Sequence, residues 1–223
     1  MRRPILIVII AVAGAAVLAG GWYLGSPLFI NRTVSEAFPV ELPSAGDMDD
    51  MPAAEIEAKR REALANLPQG EAWEDLSGRA QQEIQDRVMD FAAAMPDQDM
   101  DDAMPGGGSP ERLAQGAFMD ADRFHKGSGK ALIYRLADGG LVLRFEEFRV
   151  TNGPDLHVLL AENAEPKRRD ELGQYVDLGS LKGNLGSQNY ALDAGTDVSR
   201  YGSVVIYCMP FHVVFATAAL SAE

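Results

Sequence analysis

The chain of 223 residues carries a formal net charge of −13, with 47% hydrophobic and 24% charged residues. This composition is that of a globular protein, and the length accommodates one ordinary domain with additions or two small domains. Almost all of the excess acid lies between residues 25 and 110. Because phosphate binding requires a basic face, the composition disfavours a nucleic-acid ligand.

The chain begins with an apolar segment. Residues 4–24 form an uninterrupted uncharged stretch directly after Arg2 and Arg3. As a helix, this stretch is long enough to cross a membrane, and the basic residues before it place the N-terminus in the cytoplasm. We therefore predict a single-pass transmembrane anchor over residues 1–24, which places the rest of the chain outside the cytoplasm. A signal peptide cleaved after Ala19 is the alternative, and it leads to the same location.

An acidic, partly helical spacer is predicted over residues 25–110. A first helix is predicted over residues 53–67, because acidic residues followed by Pro52 form a helix-start signal. A second helix is indicated by apolar residues that recur at steps of three or four from Trp73 to Met95. The apolar face of this second helix needs a packing partner, which the sequence leaves open.

Two similar clusters of methionine and aspartate occur in the spacer, at residues 47–51 and 99–104. Thioether and carboxylate groups can together hold copper, but neither cluster has a histidine nearby. Both clusters are therefore interpreted as solvated linker. A glycine-rich joint at residues 106–110 then gives the predicted domain boundary.

From residue 111 to residue 223 the hydrophobic pattern changes to short strand-like runs separated by turn residues. These runs are residues 131–136, 141–145, 156–160, 189–192, 204–208 and 211–216. Short strands at regular spacing, with no helix-length period among them, predict an all-β antiparallel sandwich. The predicted architecture is this sandwich, preceded by a transmembrane helix and a partly helical acidic stalk.

Four stretches of this C-terminal segment carry its most specific motifs. They are residues 124–131 (FHKGSGKA), 148–156 (FRVTNGPDL), 177–184 (DLGSLKGN) and 204–211 (VVIYCMPF). In this order they resemble the DM-thirteen domain family, which is described as an electron-transfer module, and the resemblance covers residues 111–222. It implies a β-sandwich with one cysteine near its end, which acts as a free thiol or through a prosthetic group such as haem. That role would fall to Cys208, the one cysteine in the chain.

Cys208 lies in an apolar strand run in which Val204, Ile206 and Cys208 share one face. A buried cysteine commonly behaves as a small hydrophobe, so the thiol is inert, redox-active or paired with another molecule. His125 and His212 are the candidate cofactor ligands, because haem iron accepts histidine. The spacing of Cys208 and His212 also resembles a blue-copper loop, but no axial methionine follows. Haem therefore remains open as the cofactor, and copper is the less favoured alternative.

Two functions remain open from the sequence. The first is a membrane-anchored electron-transfer or thiol-redox protein with Cys208 as its active group. The second is a non-catalytic sandwich that binds a protein partner at the cell surface. A classical enzyme is disfavoured, because no hydrolytic, zinc-binding or phosphate-binding motif is present. No metal site is predicted, and His157 is interpreted as a surface-facing or hydrogen-bonded residue.

Overall fold

The computed structural model describes residues 42–43, 45–48 and 50–222, and these residues fall in one compact unit that extends from Pro39 to Glu223. The predicted anchor and the alternative cleavage site after Ala19 lie outside the described residues. Among the residues that are described, no helix is both long enough and apolar enough to cross a membrane.

Helices form the first part of the described chain. They are α1 (Ala45–Met48), α2 (Ala53–Ala65), α3 (Glu71–Glu74) and α4 (Gly78–Ala93). The helix predicted over residues 53–67 is confirmed as α2. The predicted second helix is divided into α3 and α4, because the Ser77 hydroxyl accepts the N–H of Ala80 at 3.2 Å and so begins a new helix.

The apolar faces of α2 and α4 pack against each other. Ile56 of α2 and Phe91 of α4 belong to one buried cluster together with Met48 of α1. Met89 of α4 packs in turn against the main core of the sheet. The apolar face of the predicted second helix therefore packs against α2 and the core of the sheet. The same contacts bury Met48, so the interpretation of this residue as solvated linker is wrong.

Ten strands form a single sheet. They are β1 (Asp99–Asp101), β2 (Glu111–Asp120), β3 (Gly127–Arg135), β4 (Leu141–Val150), β5 (Leu156–Ala161), β6 (Tyr175–Ser180), β7 (Leu185–Leu192), β8 (Ser203–Cys208), β9 (Val213–Ala219) and β10 (Ser221–Ala222). The spatial order is β1-β7-β4-β3-β2-β9-β8-β5-β6, and β10 pairs with β2. All neighbours are antiparallel except β1 and β7, which are parallel.

Strand β2 joins the two halves of this sheet. Residues 111–117 pair with β3, whereas residues 118–120 pair with β9. The halves therefore curl around a common core, in which Phe145 of one half and Phe215 of the other are fully buried. The predicted C-terminal β domain is confirmed. The separate antiparallel sheets of a sandwich are not observed, because β2 is long enough, at 10 residues, to pair on both sides.

Strand β1 lies in a segment that the sequence analysis had interpreted as linker. Asp99–Asp101 pairs with residues 185–187 of β7. The N–H of Gln98 also donates to Asn184 Oδ1 at 2.7 Å, which fixes the start of the strand. The linker interpretation is wrong for these three residues. Their own side chains are mostly exposed, and they form a strand because their backbone pairs with β7 at the edge of the sheet.

Candidate functional site

The four motif stretches meet at one end of the curled sheet, although they are far apart in sequence. Strand pairing brings them together, because Gly127 lies opposite Val150 and Leu156 lies opposite Cys208. The β2–β3, β4–β5, β6–β7 and β8–β9 connections therefore lie at the same end. We call this end of the sheet the motif end.

Cys208 is the last residue of β8, and its side chain is fully buried. It belongs to the main core together with Val204 and Ile206. Val205 and Tyr207 belong to a separate cluster on the opposite face of the strand. The alternation predicted from the sequence is confirmed, and it places the thiol on the inner face of the sheet.

Burial raises the pKa of the Cys208 thiol to about 12. The backbone N–H groups of Phe211 and Asp155 oppose this increase, whereas the negative charge of Asp155 adds to it. The sulfur therefore keeps its proton at neutral pH. It also combines the burial of a core residue with hydrogen-bond donors that favour the thiolate.

His212 lies in the β8–β9 connection, four residues after Cys208. Its φ of 56° lies in the left-handed region, and the centroid of its ring is 6.2 Å from that of Tyr207. Burial and the charge of Arg169 lower the pKa of His212, so its imidazole is neutral at neutral pH. Because Tyr207 is on the outer face of β8, His212 and Cys208 lie on opposite sides of this strand.

His125 lies in the β2–β3 connection of the motif end. Its Nδ1 is 2.8 Å from Asp122 Oδ2, and its ring centroid is 4.3 Å from that of Phe215. Partial desolvation raises the pKa of Asp122, but hydrogen bonds from His125 and from the N–H of Phe124 outweigh it and lower the pKa to about 2. Phe215 belongs to the same core as Cys208, so His125 packs on the outside of that core.

The three residues selected from the sequence therefore occupy three settings: the core for Cys208, the β2–β3 connection for His125 and the outer face of β8 for His212. Within residues 42–43, 45–48 and 50–222, no group of three or more histidine, cysteine, aspartate or glutamate side chains could hold a metal ion. The redox and cofactor-binding roles of these residues remain predictions.

A polar cluster that the sequence analysis missed surrounds His157. Its Nδ1 is 2.8 Å from Asp177 Oδ2, and its Nε2 is 3.4 Å from Ser180 Oγ and 3.6 Å from Asp155 Oδ1. The pairing of β5 with β6 brings these groups together, and nothing in their sequence spacing indicates that pairing. The interpretation of His157 as a hydrogen-bonded residue is confirmed.

The contacts run from Ser180 to His157 and from His157 to Asp177. This is the arrangement of the nucleophile, the base and the orienting acid in a catalytic triad. Acyl transfer also needs backbone donors for the oxyanion. The N–H of Gly179 already donates to Asp177 at 2.8 Å, and the N–H of Leu181 donates to the Leu156 carbonyl at 2.7 Å. The N–H groups of the residues on either side of Ser180 are thus occupied, and the cluster is better described as a hydrogen-bonded histidine–aspartate pair.

A cleft of about 660 Å³ opens between the α2–α3 connection and the β8–β9 connection. Its lining includes Trp73, Glu74, Arg169, Met209, Phe211 and His212. Two of these residues, Trp73 and Phe211, are in contact, with ring centroids 6.3 Å apart. Its volume lies in the range of small-molecule sites. Cys208 is the residue next to Met209 in the chain, but it does not line the cleft.

The helices are attached to the motif end by side-chain hydrogen bonds. Arg60 of α2 donates from Nη1 to the Pro154 carbonyl at 2.7 Å. Asn152 of the β4–β5 connection donates from Nδ2 to the Met95 carbonyl at 2.9 Å. The segment interpreted from the sequence as a stalk therefore covers the connections that carry the motifs.

Comparison with known proteins identifies a family for most of the β domain. The family described as electron transfer DM13 matches residues 118–220. The matched region contains all four motif stretches, and it includes Cys208, His125 and His212. No curated protein and no solved structure matches the chain significantly.

Proposed function

Because residues 118–220 form a domain of the electron transfer DM13 family, we propose that the chain is a membrane-anchored electron-transfer or thiol-redox protein with Cys208 as its redox group. The observation that carries this proposal is the location of the Cys208 sulfur. It lies where the four motif stretches converge, and the backbone N–H groups of Phe211 and Asp155 act against the increase of its pKa that burial causes. Such donors stabilise the negative charge that a sulfur acquires on losing its proton.

The raised pKa of Cys208 determines how this group reacts. At neutral pH the sulfur is protonated, so oxidation in the folded chain releases a proton together with the electron. Loss of one proton and one electron would leave the sulfur as a thiyl radical, and the electron would pass to a one-electron acceptor such as haem iron or a quinone. An internal disulfide cannot form, because Cys208 is the one cysteine in the chain. Reaction as a thiolate requires local opening that returns the sulfur to water.

Haem is the prosthetic group that the described residues fit best. His212 lines the cleft and carries a neutral imidazole, which is the form that ligates iron. When bound there, haem would supply one-electron chemistry. Copper fits less well, because a blue-copper site needs one cysteine and two histidines around one ion, whereas Cys208 and His212 lie on opposite faces of β8.

The proposed location is the extracytoplasmic side of a membrane. It is supported by the uncharged stretch at residues 4–24 and by the arginines before it. Alkaline phosphatase fused to the C-terminus is active only when exported, so activity of the fusion tests the orientation. The mass of the purified chain distinguishes a retained anchor from cleavage after Ala19.

The redox role is tested on the full chain purified from membranes in detergent. We expect either visible absorption from a bound group, or modification of Cys208 by the small neutral reagent methyl methanethiolsulfonate at a rate faster than global unfolding. A colourless protein whose thiol reacts only when the whole chain unfolds contradicts the proposal.

One observation favours a second function. The side chain of Cys208 is fully buried, as expected of an ordinary core residue. In that case the domain is non-catalytic and binds a protein partner at the cell surface. A Cys208→Ala chain that loses stability but retains both partner binding and all redox signals of the wild type supports this alternative.

A further inference from the structure

We propose that the cleft between the α2–α3 and β8–β9 connections binds a conjugated ring compound that carries a carboxylate. This inference rests on the electron-transfer function proposed above, because it names the class of carrier that this function would use. It assigns a ligand site to the helices that precede the matched family region, since α3 supplies Trp73 and Glu74 to the cleft.

The walls of the cleft are suited to a conjugated ring. Trp73 and Phe211 pack against each other, with ring centroids 6.3 Å apart and planes inclined at 45°, and together form one aromatic wall. Leu64, Leu67 and Pro210 extend the apolar lining. Aromatic side chains bind flat conjugated molecules by stacking and by burial of apolar area. The cleft therefore offers an aromatic and apolar wall beside the polar side chains that also line it.

Arg169 supplies the charge that a carboxylate needs. The neighbouring Arg168 pairs with Asp170 and Glu171, whereas Arg169 forms no ion pair in the described part of the chain. A guanidinium group holds a carboxylate through two parallel N–H bonds. Glu74 and Asp155 also line the cleft and repel a carboxylate, so the acidic group of the ligand is confined to the neighbourhood of Arg169.

Two further polar groups lie within electrostatic range of Arg169. The hydroxyl of Tyr207 is buried and has no hydrogen-bond partner among the described residues. Tyr207 does not line the cleft itself, but its ring centroid is 6.2 Å from that of His212, which does. His212 is held with a φ of 56° and its ring lines the cleft. Strained backbone of this kind occurs mainly at functional sites.

Two classes of molecule share the required chemistry. One is an organic electron carrier such as a quinone with a carboxylate, and the other is haem, whose ring carries two propionates. His212 separates the two classes, because an imidazole ligates the iron of haem but only hydrogen-bonds to a quinone. Metal-free protoporphyrin separates them further, since it retains the ring and the carboxylates without the iron.

Trp73 reports directly on occupancy of the cleft. The chain has two tryptophans, Trp22 and Trp73, so Trp22→Phe leaves Trp73 as the single fluorophore. The full chain with this substitution, in detergent, is titrated with anthraquinone-2-carboxylic acid, haem or metal-free protoporphyrin. We expect saturable quenching of Trp73 by at least one of the three, with a dissociation constant on the order of micromolar.

Matched variants establish where the ligand binds. Arg169→Gln is expected to weaken binding by roughly tenfold or more, because it removes a charged hydrogen-bond donor. Arg168→Gln, on the adjacent exposed arginine, is expected to leave binding unchanged. Binding of the quinone acid or of metal-free protoporphyrin supports recognition of the ring and carboxylate. Binding of haem alone, lost in His212→Ala, supports the haem form of the same proposal.

The proposal is overturned if no ligand gives saturable quenching, or if Arg168→Gln and Arg169→Gln weaken binding equally. Cys208→Ser separates this result from the redox role. Because Cys208 does not line the cleft, the Cys208→Ser chain is expected to bind the ligand as the wild type does. A chain with a reactive Cys208 and no ligand binding contradicts the cleft proposal alone.

Discussion

Two glycines at opposite ends of strand β3 and its turn differ in how closely other backbone approaches them. At the motif end, a Cβ atom on Gly129 would lie 2.6 Å from both the Glu147 carbonyl oxygen and the Phe148 Cα. At the opposite end, the space around Gly139 in the β3–β4 turn is empty within 4 Å. Both glycines have positive φ values, 103° and 87°. The comparison shows that Gly129 allows two backbone segments to approach each other, whereas Gly139 only allows the chain to turn.

Substitution of these two glycines should give the largest difference. Gly129→Ala is expected to lower the free energy of unfolding by about 3–5 kcal/mol, because it adds a steric clash to the left-handed strain. Gly139→Ala adds the left-handed strain without a steric clash, and it should lower the free energy of unfolding by about 1 kcal/mol. Urea unfolding of both variants measures the difference. Equal losses would show that close packing is not what distinguishes the motif end.

Replacement of Cys208 tests whether its sulfur acts as a hydrogen-bond acceptor. Cys208→Ala leaves the N–H groups of Phe211 and Asp155 without that acceptor and should cost about 2 kcal/mol. Cys208→Ser retains an acceptor and should cost about 1 kcal/mol. Thermal and urea unfolding give the ranking. If serine is the more damaging substitution, Cys208 behaves as an apolar core residue without such a role.

The attachment of the helices to the motif end can be weakened selectively. Asn152→Ala removes the bond to the Met95 carbonyl and should lower stability by about 1 kcal/mol. We also expect faster hydrogen exchange in α2 and α4 and faster modification of Cys208. Asn66→Ala is the matched control, because the Asn66 amide bonds only locally, to the Glu62 carbonyl at 2.9 Å. Unchanged exchange in Asn152→Ala would mean that other contacts hold the helices.

The smallest expected effect is a pH dependence at the β2–β3 connection. The folded chain lowers the pKa of Asp122 from 3.8 to about 2. Asp122 therefore contributes stability above pH 4, and that contribution is lost as the pH falls through 2. Asp122→Asn should flatten the stability profile between these values in acid unfolding experiments. His125→Gln should flatten it only partly, because the backbone N–H donors remain.

Local pattern was sufficient to predict much of the fold. The residues of β8 alternate between two faces, and the helix over residues 53–67 follows its start signal, as predicted. Strand β6 was missed because most of its residues are exposed and no apolar alternation marks it. Strand β1 was missed because it depends on the edge of β7 rather than on its own side chains.

The candidate site was predicted only in part, because several of its contacts join residues that are distant in the sequence. Cys208 was selected from the resemblance, and its inward orientation followed from strand periodicity. The contact of Trp73 with Phe211 and the contact of His157 with Asp177 depend on tertiary packing, which residue spacing does not encode. The cleft was not predicted for the same reason, because the packing partner of the apolar helical face between Trp73 and Met95 cannot be read from residue spacing.

Voltammetry of the full chain immobilised on an electrode is the most direct test of Cys208 as the redox group. A sulfur whose pKa is raised to about 12 loses a proton with its electron, so the potential should fall by about 59 mV per pH unit near neutrality. We expect this signal in the wild type and its loss in Cys208→Ser that circular dichroism shows to be folded. The same signal in both proteins, or no signal in either, contradicts the account.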